Sequence, residues 1–315
     1  LFMKYVVTGC AGFIGSHLSA RLIELGHSVI GMDSLCAGSM DNMAPFLEMP
    51  NFEFVNGDIR DLEACRRLCD GADYVLHQAA LGSVPRSVSE PLLYHDVNST
   101  GTLTMMVAAR DAGVKRFVYA SSSSVYGDTP TLPKIETMPP TPQSPYALTK
   151  LTAEYYGRLF FQTYGLATVG LRYFNVFGPR QNPYSQYAAV IPKFVTALLG
   201  GDSPVVYGDG GQTRDFTYIE SVIFANLSAC TAPESACGLA YNIGGGERIS
   251  LLDLAACLQD ILGTDLSLVF EPERAGDVRD SLASIALAQA NLGYASQMGF
   301  RDGLLQTVNW YKEAC

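Results

Sequence analysis

Tyr146 and Lys150 stand four residues apart in the run Tyr146-Ala-Leu-Thr-Lys150. On a helix that spacing puts both side chains on one face. A phenol beside an ammonium is suited to moving a proton, because the positive charge favours the phenolate and lowers a pKa normally about 10. Upstream lies the serine run Ser121 to Ser124. Within it Ser122 can donate a hydrogen bond to a substrate oxygen and pass a proton to Tyr146. The chemistry implied is proton transfer at an alcohol or carbonyl carbon. Alone, Tyr-x-x-x-Lys arises often by chance and four serines could be a polar strand end. What precedes them gives them weight.

The N-terminal run Thr8-Gly-Cys-Ala-Gly-Phe-Ile-Gly15 follows a strand-like segment and opens a helical one. Gly9 suits a tight turn, Gly12 lets a pyrophosphate approach the backbone, and Gly15 permits close helix–strand packing; Phe13 and Ile14 lie between them. Asp33 ends the next strand, where a carboxylate accepts hydrogen bonds from ribose hydroxyls and repels a 2′-phosphate. No arginine adjoins it, so the expected cofactor is NAD and not NADP. Gly57-Asp58-Ile59 can reach the adenine edge; for Asp58 a helix N-cap is an equal alternative. In His77-Gln78-Ala79-Ala80 the small residues suit close backbone contact with a cofactor, and His77 reads as a packed strand-end histidine.

These residues need a scaffold that brings strand ends together. Apolar runs at Tyr5 to Thr8, Ser28 to Met32, Phe52 to Val55, Tyr74 to Leu76 and Phe117 to Ala120 alternate with helical periodicity. That pattern predicts an α/β, Rossmann-type, doubly wound parallel sheet. Long helices are expected at roughly Leu92 to Ala112 and Tyr146 to Tyr164. Six prolines between Asp128 and Pro145 dictate an extended loop. Beyond Arg172 short elements separated by turns such as Gly208-Asp-Gly-Gly211 and Gly244-Gly-Gly246 predict a smaller α/β lobe. The expected division is a cofactor domain at 1–172 and a substrate lobe at 173–315, some of whose segments return to the sheet.

Bulk properties exclude several classes. The 315 residues are 48% hydrophobic and 17% charged, which describes an ordered chain with a large core. A net charge of −10 argues against a general nucleic-acid binder. No apolar run is long enough for a bilayer. Eight cysteines form no C-x-x-C pair and no zinc-ligand spacing, so no metal is expected. Strand-like sequence from Lys4 leaves no room for a signal peptide, and reduced cysteines fit a cytoplasmic protein.

The glycine loop, the Val125-Tyr126-Gly127 segment after the serines and Tyr-x-x-x-Lys together resemble the extended short-chain dehydrogenase/reductase superfamily. Arg172-Tyr-Phe-Asn-Val-Phe-Gly-Pro179 is similar to its nucleotide-sugar branch. Leu76-His-Gln-Ala-Ala-Leu-Gly-Ser-Val-Pro-Arg-Ser87, Tyr187-Ala-Ala-Val-Ile-Pro-Lys193 and Gly276-Asp-Val-Arg-Asp-Ser281 most resemble the UDP-N-acetylglucosamine 4-epimerases, over nearly the whole chain. The resemblance implies that Ser122 and Tyr146 handle the proton of the sugar 4-hydroxyl. Lys150 then tunes the tyrosine and binds the ribose, and Asn98 and Tyr173 join the NAD contacts. It further implies that Asn175, Arg214, Arg274 and Asp277 hold the UDP moiety, that Ala189, Val190, Val206 and Tyr207 line the pocket, and that Ser83, Ser123 and Gln181 face the hexose.

Related 4,6-dehydratases carry an Asp-Glu pair where this chain has Ser123 and Ser124. Hydroxyls cannot serve as acid–base groups near neutral pH, so elimination looks disabled and 4-epimerisation of a UDP-hexose remains. The position of Ser281 is bulky in relatives restricted to UDP-glucose and UDP-galactose, and serine leaves room for an N-acetyl group. UDP-glucuronate 4-epimerases resemble the serine segment too and are the nearest alternative; a non-catalytic NAD-binding sensor is a more distant one. Surplus apolar positions on the two long helices, among them Leu103, Met106, Tyr155, Leu159 and Phe160, suggest a homodimer through a four-helix interface.

Overall fold

Strands buried on both faces need apolar residues at nearly every position, and seven segments of this chain supply them. The structure, a computed structural model, describes residues 2–183, 189–273 and 279–314. The strands are β1 (Lys4–Thr8), β2 (Ser28–Asp33), β3 (Phe52–Asn56), β4 (Tyr74–His77), β5 (Arg116–Ser122), β6 (Thr168–Tyr173) and β7 (Leu239–Ile243). All pair in parallel, in the order β7-β6-β5-β4-β1-β2-β3. The first five match the expected runs to within two residues. The chain winds outward from β1 in one direction to β3 and in the other to β7. The switch therefore falls between β1 and β4, and a crevice opens beyond their C-terminal ends.

Helices cover both faces. Helix α1 (Phe13–Glu24) and α2 (Leu62–Cys69) follow β1 and β3. Helix α3 runs over 91–111 and includes one π-helical stretch, His95–Thr100. Helix α4 (Pro145–Tyr164) begins at the Ser144 cap, whose side chain accepts from the Ala147 N–H, and ends at Gly165 in the left-handed region, φ +72°. Buried apolar side chains form one cluster on each face of the sheet, around Leu18, Phe194 and Val222 on one side and Met105, Phe117 and Phe160 on the other. Met106 and Phe160 thus belong to the core, which corrects their assignment to an intersubunit stripe; Tyr155 and Leu159 are exposed.

Beyond β6 the chain makes three two-stranded pieces, Val176–Phe177 with Thr217–Tyr218, Val205–Tyr207 with Val269–Glu271, and Thr213–Arg214 with Ile249–Ser250. Between them lie α5 (Val190–Gly200) and α6 (Ile219–Thr231). Strand β7 comes from this half of the chain and completes the sheet edge. The proline-rich segment 128–144 forms no regular element and is fastened to 282–284: Lys134 N–H donates to Leu282 O at 2.7 Å and Ser284 N–H to Lys134 O at 2.8 Å. Among the described residues no helix is long and apolar enough to cross a membrane.

Candidate active site

The turn after β1 is built by close backbone approach. A Cβ on Gly15 would lie 2.1 Å from Gly9 O, and one on Gly9, at φ +73°, 2.9 Å from Ala79 N. Glycine is therefore required where α1 meets the strand and where the β1 and β4 ends converge. Gly12 caps α1 with no side-chain hydrogen bond, which leaves first-turn N–H groups for an anion. Each oxygen of Asp33 accepts one backbone N–H, Oδ2 from Ala11 at 3.0 Å and Oδ1 from Leu35 at 2.8 Å. Further lone pairs remain for ribose hydroxyls.

These groups border a cleft of about 530 Å³ whose wall includes Gly9, Gly12, Phe13, Ile14, Gly15, Asp33, Asp58, Ile59, Gln78, Ala79 and Ala80. Asp58 is gripped by Arg60, whose hydrogen bonds hold its carboxyl below the usual range. The cap of α2 is instead Asp61. Gln78 closes a triangle: Tyr173 OH donates to Gln78 Oε1 at 3.0 Å, Asn226 Nδ2 to Tyr173 OH at 2.9 Å, and Gln78 Nε2 to Asn226 Oδ1 at 3.0 Å. Asn98 is buried behind the wall, where its amide bonds both backbone groups of Leu81 and the Thr149 hydroxyl. His77 is a packed histidine: its ring bridges Thr8 and Thr102, and burial lowers its pKa to about 3.

At the end of β5, Ser122 neighbours Tyr146 of α4, and Lys150 of the same helix reaches the strand at Ala120. Lys150 Nζ donates to Ala120 O at 2.9 Å and lies 5.9 Å from the Tyr146 ring centroid. Burial lowers the Lys150 pKa to about 8 and raises that of Tyr146, which a hydrogen bond from Ser122 partly offsets. This corrects the expectation that the ammonium dominates the phenol: removal from water disfavours both charged forms. Ser122 Oγ accepts from Ser124 twice, from N–H at 3.2 Å and from Oγ–H at 2.9 Å. One helical turn beyond Lys150, Glu154 accepts a hydrogen bond from Ser121 and two from Arg172, at 2.8 and 2.7 Å, so this buried carboxylate is fully engaged.

A second pocket, about 250 Å³, opens beyond β6, with Asn175, Gln181, Ala189, Val190, Tyr207 and Arg214 in its wall. Asn175 Nδ2 donates to Asp215 O at 3.1 Å and to Ser281 Oγ at 3.3 Å, which brings the expected nucleotide and gate residues together. Arg214 Nη1 bonds the carbonyls of Thr213 and Arg279. Val206 is corrected: strand alternation turns its side chain into the core, and Val205 and Tyr207 line the pocket. Ser83 caps the short helix Val84–Ser89, accepting from Arg86 N–H at 3.2 Å, and Ser123 starts the 3₁₀ turn Ser123–Tyr126. Arg274 and Asp277 lie outside the described residues.

Sequence reading missed three residues. Gln212 lines the second pocket, and its buried Oε1, like that of Gln181, has no partner among the described residues; two buried acceptors suit a ligand rich in N–H and O–H donors. Asp215 is fully buried and accepts from the N–H groups of Gly245, Gly246 and Ala283 at 2.7, 3.1 and 2.9 Å. Its place beside Arg214 was the one available signal. Ser124 was weighed only as a missing acid.

The sequence pattern of the NAD dependent epimerase/dehydratase family matches residues 5–244. The chain belongs to this family. It is 36% identical to a UDP-glucose 4-epimerase of Mycolicibacterium smegmatis over 98% of this chain and 99% of the relative. Among solved structures it is similar to a UDP-N-acetylglucosamine 4-epimerase from Methanobrevibacter ruminantium in complex with UDP-N-acetylmuramic acid. That match has a TM-score of 0.95 and 38% identity and covers 100% of this chain and 99% of the other. A UDP-glucuronic acid 4-epimerase from Bacillus cereus, in complex with UDP-glucuronic acid and NAD, matches with a TM-score of 0.92 at 31% identity, over 99% and 100%.

Proposed function

We propose that this protein is a UDP-sugar 4-epimerase that interconverts UDP-N-acetylglucosamine and UDP-N-acetylgalactosamine, and also turns over UDP-glucose and UDP-galactose. One observation carries the choice of epimerisation over elimination. The residues after Ser122 are hydroxyls, one of them bonded back to Ser122 itself. The buried carboxylate at this strand end, Glu154, is tied to Arg172. Among the described residues that follow Ser122 on this strand end there is no free carboxyl to protonate a leaving hydroxyl, which supports oxidation and re-reduction at one carbon.

NAD, held by the glycine turn, Asp33 and Lys150, supplies a reversible hydride acceptor when bound. Tyr146 takes the proton of the 4-hydroxyl, with Ser122 donating a hydrogen bond at the same oxygen. Arg214 and Asn175, with Arg274 and Asp277, anchor the nucleotide diphosphate, and the ring is left free to turn as a 4-keto sugar and present its other face. UDP then contributes most of the binding free energy. Ser281, next to Asn175, leaves room for the acetamido group. Assembly as a homodimer is supported by exposed Leu92 (85%), Tyr155 (61%), Leu148 (55%) and Leu159 (47%) on α3 and α4.

The test incubates the purified chain, with and without added NAD, with UDP-N-acetylglucosamine, UDP-glucose and UDP-glucuronate, and follows products by proton NMR. Conversion of the acetamido sugar at C4 with no 4-keto-6-deoxy product is expected. Turnover of the uronate alone would replace this substrate by its uronate counterpart. Ser281→Tyr should depress turnover of the acetamido sugar about 10-fold or more relative to UDP-glucose; equal losses would remove the gate.

A further inference from the structure

The Ser122 hydroxyl has both of its acceptor positions engaged by one residue. A serine hydroxyl has one hydrogen and two acceptor lone pairs. Here the Ser124 N–H donates to Ser122 Oγ at 3.2 Å and the Ser124 hydroxyl donates at 2.9 Å. The first contact is the N-cap of the 3₁₀ turn Ser123–Tyr126, with Ser122 at φ −151° and ψ 147°. The turn is closed by Gly127, at φ +60°, where a Cβ would meet Thr141 O at 2.1 Å. The Ser124 N–H therefore cannot move away without reshaping a turn pinned at both ends, and its side-chain hydroxyl adds the second bond at 2.9 Å. With both lone pairs engaged, the Ser122 hydrogen is the only free valence left on that oxygen, and Tyr146 is the neighbouring group whose charged form Ser122 favours.

We propose that Ser124 is a positioning residue that makes Ser122 a hydrogen-bond donor only, so that the proton of the sugar hydroxyl passes directly to Tyr146 Oη. This rests on the epimerase reading above. A relay through Ser122 requires its oxygen to accept the substrate proton while surrendering its own, and Ser124 occupies both acceptor positions. In the direct step the sugar O–H bond breaks, the Tyr146 O–H bond forms, and the Ser122 O–H bond stays intact. The donor-only state also serves Tyr146 before the reaction, since a fixed donor favours the phenolate. The other groups facing Tyr146 are Lys150 from its own helix and the neutral phenol of Tyr94 from α3, while Glu154 is compensated by Arg172. The same reading gives the serine run a role beyond lacking carboxylates.

The experiment compares wild type, Ser124→Ala, Ser124→Thr and Tyr146→Phe across the pH range in the NMR epimerisation assay. Ser124→Ala removes one donor and frees the Ser122 hydroxyl to rotate. The acid limb of the kcat profile should move to higher pH by about one pH unit, with kcat at neutral pH down about 5- to 10-fold and KM within about two-fold. Ser124→Thr, which keeps the hydroxyl, should restore the limb. A limb that stays in place in Ser124→Ala, or a loss confined to KM, overturns the proposal. A wild-type proton inventory in mixed light and heavy water supplies a second readout: a linear plot is expected, and a bowed plot, showing two protons in flight, overturns direct transfer. Turnover by Tyr146→Phe would sink the epimerase reading itself; silence there with an unmoved limb in Ser124→Ala sinks only this inference.

Discussion

The cleft that the glycine turn borders and the second pocket beyond β6 are built in opposite ways. The cleft takes its walls from the turns after successive parallel strands, where backbone N–H groups, glycines and strand-end side chains are placed by the sheet itself. The pocket gathers Asn175, Gln181, Tyr207 and Arg214, with Ser281 bonded to Asn175, from segments that share no continuous sheet. Hydrogen bonds accepted by the Asp215 carboxylate and donated by the Asn175 amide join those segments, where the ladder of a sheet joins the strands of the cleft. A cleft fixed by the sheet and a pocket assembled from short, side-chain-braced pieces suit the reaction proposed above, in which the cofactor stays put while the sugar turns.

The chemical centre lies between the two regions, and the largest effect is expected there. Tyr146→Phe should lower kcat about 10³-fold or more while leaving the melting transition and cofactor content intact; activity near wild type by the NMR assay would break the assignment. On the cleft side, Gly15→Ala puts a methyl group 2.1 Å from Gly9 O. We expect about 3 kcal/mol lost in denaturant unfolding and loss of retained NAD. An unchanged unfolding midpoint would show that the turn is less rigid than the sheet geometry implies.

On the pocket side, Arg214→Ala should weaken UDP binding by calorimetry about 30-fold with NAD content unchanged. Parallel loss of NAD would show that the two regions are one site energetically and would dissolve the comparison. A pH-dependent effect concerns Asp215, whose carboxyl burial raises from 3.8 to about 6 despite three backbone donors. The folded state holds this proton more tightly than the unfolded state. The stability it contributes is therefore fully present below about pH 4 and lost as pH rises through about 6, amounting to about 3 kcal/mol. Unfolding free energies of wild type and Asp215→Asn should diverge in slope across that window; parallel curves would remove Asp215 as the titrating brace.

Legibility in the sequence followed the same division. The placement of Gly9, Gly12, Gly15, Asp33 and the run Gln78 to Ala80 along one cleft was legible because a parallel strand delivers its last residue and the following turn to one edge, and spacing alone encodes that. Asn98 was read as a cofactor contact, but its amide supports Leu81 behind the wall. Val206 was read as pocket-lining, and strand phase decided otherwise. Gln212 carries no spacing signal toward a ligand, and Asp215 none beyond its place beside Arg214. Their roles depend on which loops meet, and only the fold brings 209–216, 244–246 and 281–283 together.

The sequence by itself determined the sheet, its direction and switch point, the glycine turn, and the pairing of Tyr146 with Lys150. These follow from local periodicity and from backbone sterics at fixed spacing. Tertiary structure alone decided the charge preferences of Tyr146 and Lys150, because desolvation depends on everything packed around them. It also decided the engagement of Glu154 by Arg172, the brace at Asp215 and the two bonds from Ser124 to Ser122. In each of these a hydrogen-bonding group is fixed by partners whose positions are set by chain segments meeting in space or by the exact path of a turn, and residue order does not specify either.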